Sequence, residues 1–247
     1  MAVGLRVRNQ GTGQIQIGAG YRNLQLAKSG TLDTGSFQGS STGGSPPFAS
    51  SSNYGLLAST AGTTKLHVIR YINDSVAFTT GFSIVQSGVS CYVFAANNAP
   101  NKTLEYYTFD ATERAASGPV GLRMRGEDGS VFYDSRRKGV RVLQVVPLPP
   151  PPVNTPVAEV GQFFPGTKIG IAIPSPRFYY ASVSQDRCTA YADAFHMTSD
   201  NRIFMSKHET FSQTLITNTF PVGGVTMGPQ NATIFIVDLT EVPLGFG

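Results

Sequence analysis

The sequence predicts an all-β protein built of antiparallel β-sandwich domains, of jelly-roll or immunoglobulin-like form, two in number and joined by a proline-rich spacer. Three observations carry this expectation. Short runs rich in β-branched and aromatic residues recur between Asn, Gly and Pro turn signals at a spacing of about ten residues, the rhythm of a sandwich or barrel. No segment sustains a 3.6-residue apolar period, and only CTAYADAFHM at 188–197 has the composition for a turn or two of helix. Finally, PLPPPPVNTP at 147–156 interrupts the β pattern with residues that cannot donate to a ladder and that favour a stiff extended chain.

The elements follow in order. Leu5-Arg6-Val7-Arg8 alternates apolar with charged, a Gly-Thr-Gly turn follows, and 14–17 alternates again, which predicts a hairpin with Leu5, Val7, Ile15 and Ile17 on its buried face. A third alternating run covers 23–28. From 33 to 64 the chain is dominated by Gly, Ser, Thr and Pro and carries little apolar surface to offset its ordering entropy, so it reads as a long loop. The strand signal is dense from 65: KLHVIRYI, SVAFTTGFSIVQ, SCYVFAA and TLEYYTFDA. A second hairpin at 121–134 leads into VRVLQVV. Beyond the prolines, TKIGIAIP, RFYYASVS, RIFMSK and ATIFIVDLTEV read as strands again. The expected division is an amino-terminal sandwich at 1–146, a linker at 147–156 and a carboxy-terminal β domain at 157–247.

One phrase occurs twice. Gly4-Leu5-Arg6-Val7-Arg8 matches Gly121-Leu122-Arg123-Met124-Arg125, and Gly13-Gln14-Ile15-Gln16-Ile17 matches Gly129-Ser130-Val131-Phe132-Tyr133. Each phrase leads through a six-residue polar turn, GAGYRN or DSRRKG, to a third strand. Residues two apart on a strand share a face, so Leu with Val or Met is expected inward and the two arginines outward together. Glu-Asp-Gly in the second copy is a strong hairpin turn because Gly tolerates positive φ.

Composition narrows the function. Only 14% of residues are Asp, Glu, Lys or Arg, and uncharged polar residues take their place, which suits a member of an assembly. The net charge of +4 is too small to mark a nucleic-acid binder. The amino terminus has no apolar signal core and no run approaches the roughly 18 apolar residues of a membrane span, so a soluble protein without a cleaved signal is expected. Cys91 and Cys188 sit in apolar surroundings and read as small buried hydrophobes rather than a disulfide. Sequons at Asn73, Asn101 and Asn231 read as chance occurrences in an Asn- and Thr-rich chain.

Catalytic chemistry finds little footing. Asp33-Thr34-Gly35-Ser36 has the letters of an aspartic-protease motif, but it lacks the preceding buried apolar strand and the second aspartate that must share its proton. His67, His196 and His208 have no zinc-site company, and no nucleophile elbow or phosphate-binding glycine loop occurs. No pair among the 15 acidic residues is marked out as a glycosidase pair. The expectation is a protein that is not an enzyme, with no cofactor and no metal.

Arginines concentrate instead in the two hairpins. Arg6, Arg8, Arg123, Arg125, Arg136 and Arg137 are the candidate partner-binding residues, because the planar guanidinium suits protein interfaces. Phe132 and Tyr133 lie among them, yet Glu127, Asp128 and Asp134 dilute the field, so intramolecular pairing or an acidic protein surface is favoured over nucleic acid. Phe178, Tyr179 and Tyr180 in RFYYAS are the candidate receptor-binding residues, since aromatics supply much of the recognition energy at interfaces.

These phrases resemble small virion proteins of tailed bacteriophages, encoded among the tail-tip and fibre genes. Such proteins open with Gly-Leu-x-Val-x-Asn, which Gly4, Leu5, Val7 and Asn9 fit, and carry a later Gly-Leu-x-Val…Gly-x-x-x-Phe-Asp-Ser element. Gly121, Leu122, Gly129, Asp134 and Ser135 fit the second, with Tyr133 in place of Phe. The resemblance covers residues 1–145. It implies a β-rich tail-tip, baseplate or fibre component, assembled in the host cytoplasm and working in the virion. Its implied partners are other tail proteins in a ring assembly, with a host surface receptor as the alternative, and it supplies no catalytic residue.

Overall fold

The computed structural model describes residues 6–8, 15–18, 24–33, 38–39, 53–60, 65–71, 78–85, 88–95, 103–111, 121–125, 129, 131–149, 157–174, 177–184, 187–214, 225–227 and 232–246. Among these the chain is all-β, with antiparallel sheets and no helix. Two small hairpins stand apart from the large sheets: β1 (Arg6–Arg8) with β2 (Ile15–Gly18), and β10 (Arg123–Arg125) with β11 (Val131–Asp134).

A six-stranded sheet contains β3 (Gln25–Asp33), β6 (Lys65–Arg70), β9 (Thr103–Asp110), β12 (Val142–Pro147), β14 (Ile169–Ala172) and β19 (Thr233–Asp238), in the order β12-β19-β14-β6-β9-β3. A nine-stranded sheet contains β4 (Gln38–Gly39), β5 (Asn53–Thr60), β7 (Phe78–Val85), β8 (Gly88–Ala95), β13 (Val157–Gln162), β16 (Arg187–Met197) and β17 (Arg202–Thr214), in the order β13-β17-β16-β7-β8-β5-β4. Its remaining strands, β15 (Phe178–Ser184) and β18 (Val225–Met227), pair with each other, and β15 also pairs with β16.

The alternation of apolar residues sorts the core into two clusters. Ile69, Leu104, Tyr106, Ile169, Ile171, Ile234 and Ile236 of the six-stranded sheet join Phe195, Met197, Ile203 and Met205 of the other sheet in one buried cluster. The opposite parity of the same strands, Leu66, Val68, Tyr107, Phe109, Ala172 and Val237, forms a second cluster with Leu26 and Leu239. Leu24, Val140, Val242 and Phe246 pack against it, so the six-stranded sheet is buried on both faces. That explains strands such as IGIA, buried at every position, that do not alternate in polarity.

Two expectations are corrected. CTAYADAFHM is the strand β16, not a helical turn. Residues 192–197 are all buried at the centre of the large sheet, so the segment loses the polar alternation that marks a strand. Within 33–64, which reads as a loop, β4 and β5 pair, and β5 pairs along its length with β8. NYGLLAST has only Tyr54 and Thr60 of the β-branched and aromatic types that favour strands, and its order comes from the ladder with β8 rather than from local propensity.

Pro147 ends β12 opposite Thr233, on an edge strand where its missing N–H costs no ladder bond. The chain resumes as β13, an edge of the other sheet. Both sheets take strands from either side of 147–156, so the expected two-domain boundary is not matched by the hydrogen bonding. The sheets divide instead into two repeated sets. Reading the six-stranded sheet from each edge gives β3-β9-β6 and β12-β19-β14, and the nine-stranded sheet gives β5-β8-β7, inward of the two-residue edge strand β4, and β13-β17-β16. Chain order within each set is the same, and the repeat falls between β9 and β10.

Candidate protein-docking site

The two hairpins share one register. In the first, Arg6 pairs with Gly18, Val7 with Ile17 and Arg8 with Ile15, with a bulge between Val7 and Arg8. In the second, Arg123 pairs with Asp134, Met124 with Tyr133 and Arg125 with Val131, with a bulge between Met124 and Arg125. Each pair and the bulge coincide at the positions that the repeated phrase aligns. Counting on without a gap, Leu26 corresponds to Val142 and Lys28 to Gln144, and a second bulge falls between each of those pairs. Bulges re-aim a strand and are placed by specific local sequence, so two coincident bulges mark a repeated unit rather than two similar hairpins. Gly129 takes φ 78°, as a glycine in this turn is expected to do.

The repeats meet at their entry segments. Gln25 and Gly139 form an antiparallel bridge, with Leu26 N donating to Lys138 O at 2.8 Å and Val140 N to Leu24 O at 2.9 Å. Leu24 and Val140 hold the same position in their respective repeats.

Asp134 organises the second hairpin. It is 1% exposed, and it accepts from Arg136 Nη2 at 2.6 Å and Nε at 2.9 Å, from Arg136 N at 3.1 Å, and from Arg123 Nε at 3.1 Å. The Arg136 side-chain hydrogen bond is the main reason its carboxyl sits well below the usual carboxylate range, with the backbone N–H of Arg136 and the Arg123 side chain adding to it against the cost of burial. The aliphatic stem of Arg136 crosses Gly121, where a Cβ would come within 2.5 Å of it, so the opening glycine of the phrase has a packing reason. Gln25 Nε2 donates to Asp134 O at 2.9 Å, and Ser135 exchanges hydrogen bonds with the backbone of Leu122.

The six candidate arginines therefore separate. Arg137 is buried and structural, donating to Leu26 O at 3.1 Å and 3.3 Å and lying 3.5 Å from Asp110. Arg136 and Arg123 are held by Asp134, although Arg123 stays partly exposed. Arg125 is exposed and donates to Gly129 O at 2.7 Å. Arg6 and Arg8 lie on β1 at the stations of Arg123 and Arg125. The exposure of Arg123 and Arg125 agrees with the alternation, but Leu122 does not enter the core; it is 56% exposed. The expected buried face of Leu5, Val7, Ile15 and Ile17 lies outside the described residues. Val142 and Val145 on the edge strand β12, which follows the second hairpin in sequence, are exposed as well.

Phe178, Tyr179 and Tyr180 open β15. They pair with Ala192, Tyr191 and Ala190 of β16, and Tyr179 and Tyr180 pair also with Met227 and Thr226 of β18. The structure does not bring them to the hairpins' sheets. The adjacent Arg177 has no motif to mark it in the sequence, yet among the described residues it is the largest fully buried side chain: its Nε donates to Asp193 Oδ2 at 2.6 Å and its Nη1 to Pro149 O at 3.0 Å. Burial pushes the Asp193 carboxyl up, against the hydrogen bond and charge of Arg177.

His67 and His196 take structural places. His67 Nδ1 lies 3.1 Å from Thr108 Oγ1, and burial, with a smaller contribution from Lys65, pushes its pKa down to about 4. His196 stacks on Phe204 with ring centroids 5.0 Å apart. Among the described residues no group of His, Cys, Asp and Glu has the arrangement of a metal site, and no helix is long and apolar enough to cross a membrane. Compared with protein-family models, curated proteins and solved structures, the chain matches none.

Proposed function

We propose that this protein is a structural component of a bacteriophage tail tip or baseplate, built into the virion after assembly in the host cytoplasm, and that it docks onto neighbouring tail subunits through its two hairpins. In this reading the two large sheets form a β-sandwich platform, the protein performs no catalysis, and its partners are other tail proteins in an oligomeric ring. The observation that carries the reading is the shared register of two arginine-bearing hairpins that stand outside both large sheets. A hairpin that pairs with neither large sheet and carries exposed Leu122 next to Arg123 in sequence suits an interface that combines apolar contact with arginines. The phrases at 4–9 and 121–135 that resemble phage tail proteins are these same hairpins. Mass spectrometry of purified particles tests the proposal: the protein should be present at a fixed copy number relative to the tail-tube subunit, and its absence from intact particles would refute it.

A second reading, a tail-fibre module that recognises a host receptor or glycan, has one observation in its favour. The β15–β18 extension, which begins with Phe178, Tyr179 and Tyr180, has no counterpart among the described residues of the first repeat. An addition to one copy of a repeated unit is where a separate binding task would be lodged. Purified protein that competes with particles for adsorption to host cells, and that loses this competition when the three aromatics are replaced by Ala, would support it.

A further inference from the structure

We propose that β12, an edge of the six-stranded sheet, accepts along its open side an extended, uncharged segment of a partner protein that carries bulky apolar side chains. The inference does not depend on the hairpins' part in docking. It starts from the opposite edge, β3, which already carries such a segment. Ser29 N donates to Phe246 O at 2.8 Å, Phe246 N to Ser29 Oγ at 3.0 Å, and Ser29 Oγ to Pro243 O at 2.7 Å, while Leu26 N donates to Lys138 O at 2.8 Å. Val242 and Phe246 of the same carboxy-terminal segment pack against the cluster that contains Leu26. Leu26 is thereby 1% exposed and Ser29 4%.

Register carries that arrangement over to β12. Leu26 corresponds to Val142 and Ser29 to Val145, whose ladder partners Tyr107 and Phe235 are equivalent in turn. At these stations the second repeat is open: Val142 is 41% exposed and Val145 54%. Leu148 N donates to Ala232 O, so by the alternation of an antiparallel ladder Val146 and Gln144 bond to β19, and the N–H and C=O of Val145 point away from it. Among the described residues nothing accepts from Val145 N. Pro147, two residues on, has no N–H to offer, which leaves Val145 as the donor at the centre of this edge. In sequence, the covering segment follows Asp238, whose counterpart is Asp110; the stretch after Asp110, ATERAASGP, holds none of the Val, Leu or Phe found after Asp238. The first repeat therefore has no segment of that composition to lay on β12. VLQVVP of β12 and VPLGF of the covering segment are both uncharged, so the matching occupant is uncharged along the strand. In strand addition the main chain supplies affinity and alternate side chains supply specificity.

The test titrates full-length protein with a synthetic VPLGFG peptide and reads amide hydrogen exchange by NMR. Exchange at Val145 N should slow by about tenfold or more at saturating peptide, while that of Ser29 N, already bonded to Phe246, should not change. Val145→Pro removes the outward N–H, as Pro147 does at its own station, and should weaken peptide binding about tenfold with an unchanged melting temperature. Val142→Glu with Val145→Glu, both at exposed side chains, should abolish binding, and it serves equally if the proline variant fails to fold. Absence of binding at millimolar peptide, or binding that neither variant weakens, would overturn the proposal. Protection of Val145 that rises with protein concentration alone, together with a dimer in sedimentation equilibrium, would make the occupant a second copy of this chain and overturn the partner reading. The hairpins are untouched in every arm, so docking through them stands or falls separately.

Discussion

Val68 and Ala172 face each other where β6 pairs with β14, and they hold the same station in the two repeats. The equivalence follows from the ladders. Leu26 corresponds to Val142; their partners are Phe109 and Val237; two residues earlier stand Tyr107 and Phe235, whose partners are Val68 and Ala172. Leu24 and Val140, which flank the bridge between the entry segments, are likewise equivalent. Two self-paired stations in antiparallel contact are the mark of a local two-fold relationship, as in an isologous dimer interface, here within a single chain.

A seam of this kind makes the two repeats one folding unit. Gly170 lies at it, and a Cβ there would approach Leu239 Cδ1 and Val68 Cγ1 to 2.7 Å. Gly170→Ala should destabilise the protein by about 1–3 kcal/mol, the usual cost of overpacking. In urea, both variant and wild type should unfold in a single transition, with the variant's midpoint lower. Two separated transitions, only one of them shifted, would restore the picture of independent domains.

The Asp134 clamp gives an acid-sensitive contribution to stability. Its carboxyl is depressed in the folded state, so the stabilisation is present above the unfolded pKa near 4 and is lost as pH falls below it. Asp134→Asn should cost about 2 kcal/mol at pH 7, as expected for hydrogen bonds to charged groups, and should flatten the decline of stability below pH 4. Denaturation midpoints collected from pH 7 to pH 3 check both parts.

His67 acts in a different window. Its folded pKa of about 4 lies below the ordinary 6.5, so the unfolded chain binds the proton first and stability falls as pH drops from about 6.5 towards 4. A loss of about 3 kcal/mol across that range is expected from this group. His67→Gln, which keeps a partner for Thr108 and does not titrate, should remove that slope, and urea midpoints at half-unit pH steps measure it.

Arg177 and Asp193 test the interior. Arg177→Ala leaves Asp193 buried without its partner and frees Pro149 O, so a loss of about 3–5 kcal/mol is expected. Arg177→Met combined with Asp193→Leu, which removes both charges, should recover most of it. A double variant no more stable than the single one would show that the pair holds the proline segment rather than balancing its own charges.

The all-β class was legible because β-branched and aromatic runs dominate most strands, and the hairpin phrase was legible because both copies kept their glycines and arginines. The extent of the repeat was not. β9 and β19 share only the closing Asp110 and Asp238 and an apolar pattern, and β6 and β14 pair His67 with Thr108 where the second copy has Ile171 with Ile236. Only register exposes such equivalence, since a shared backbone tolerates different side chains as long as parity is kept. Prolines do not by themselves mark a domain boundary, because edge strands tolerate them, and Pro147 ends the edge strand β12. At the site, Asp134 read as an acid that dilutes a basic patch, and only its burial and the two arginines turned onto it show it as a clamp.

The most direct measurement is the copy number of this protein in particles assembled with Arg6→Glu, Arg8→Glu and Arg125→Glu together. Arg123 is left unchanged, because a glutamate there would face Asp134. Docking through the hairpins requires that copy number to fall to roughly a tenth of wild type or below while the purified variant melts as the wild type does. Particles carrying the full complement of a folded triple variant would contradict it.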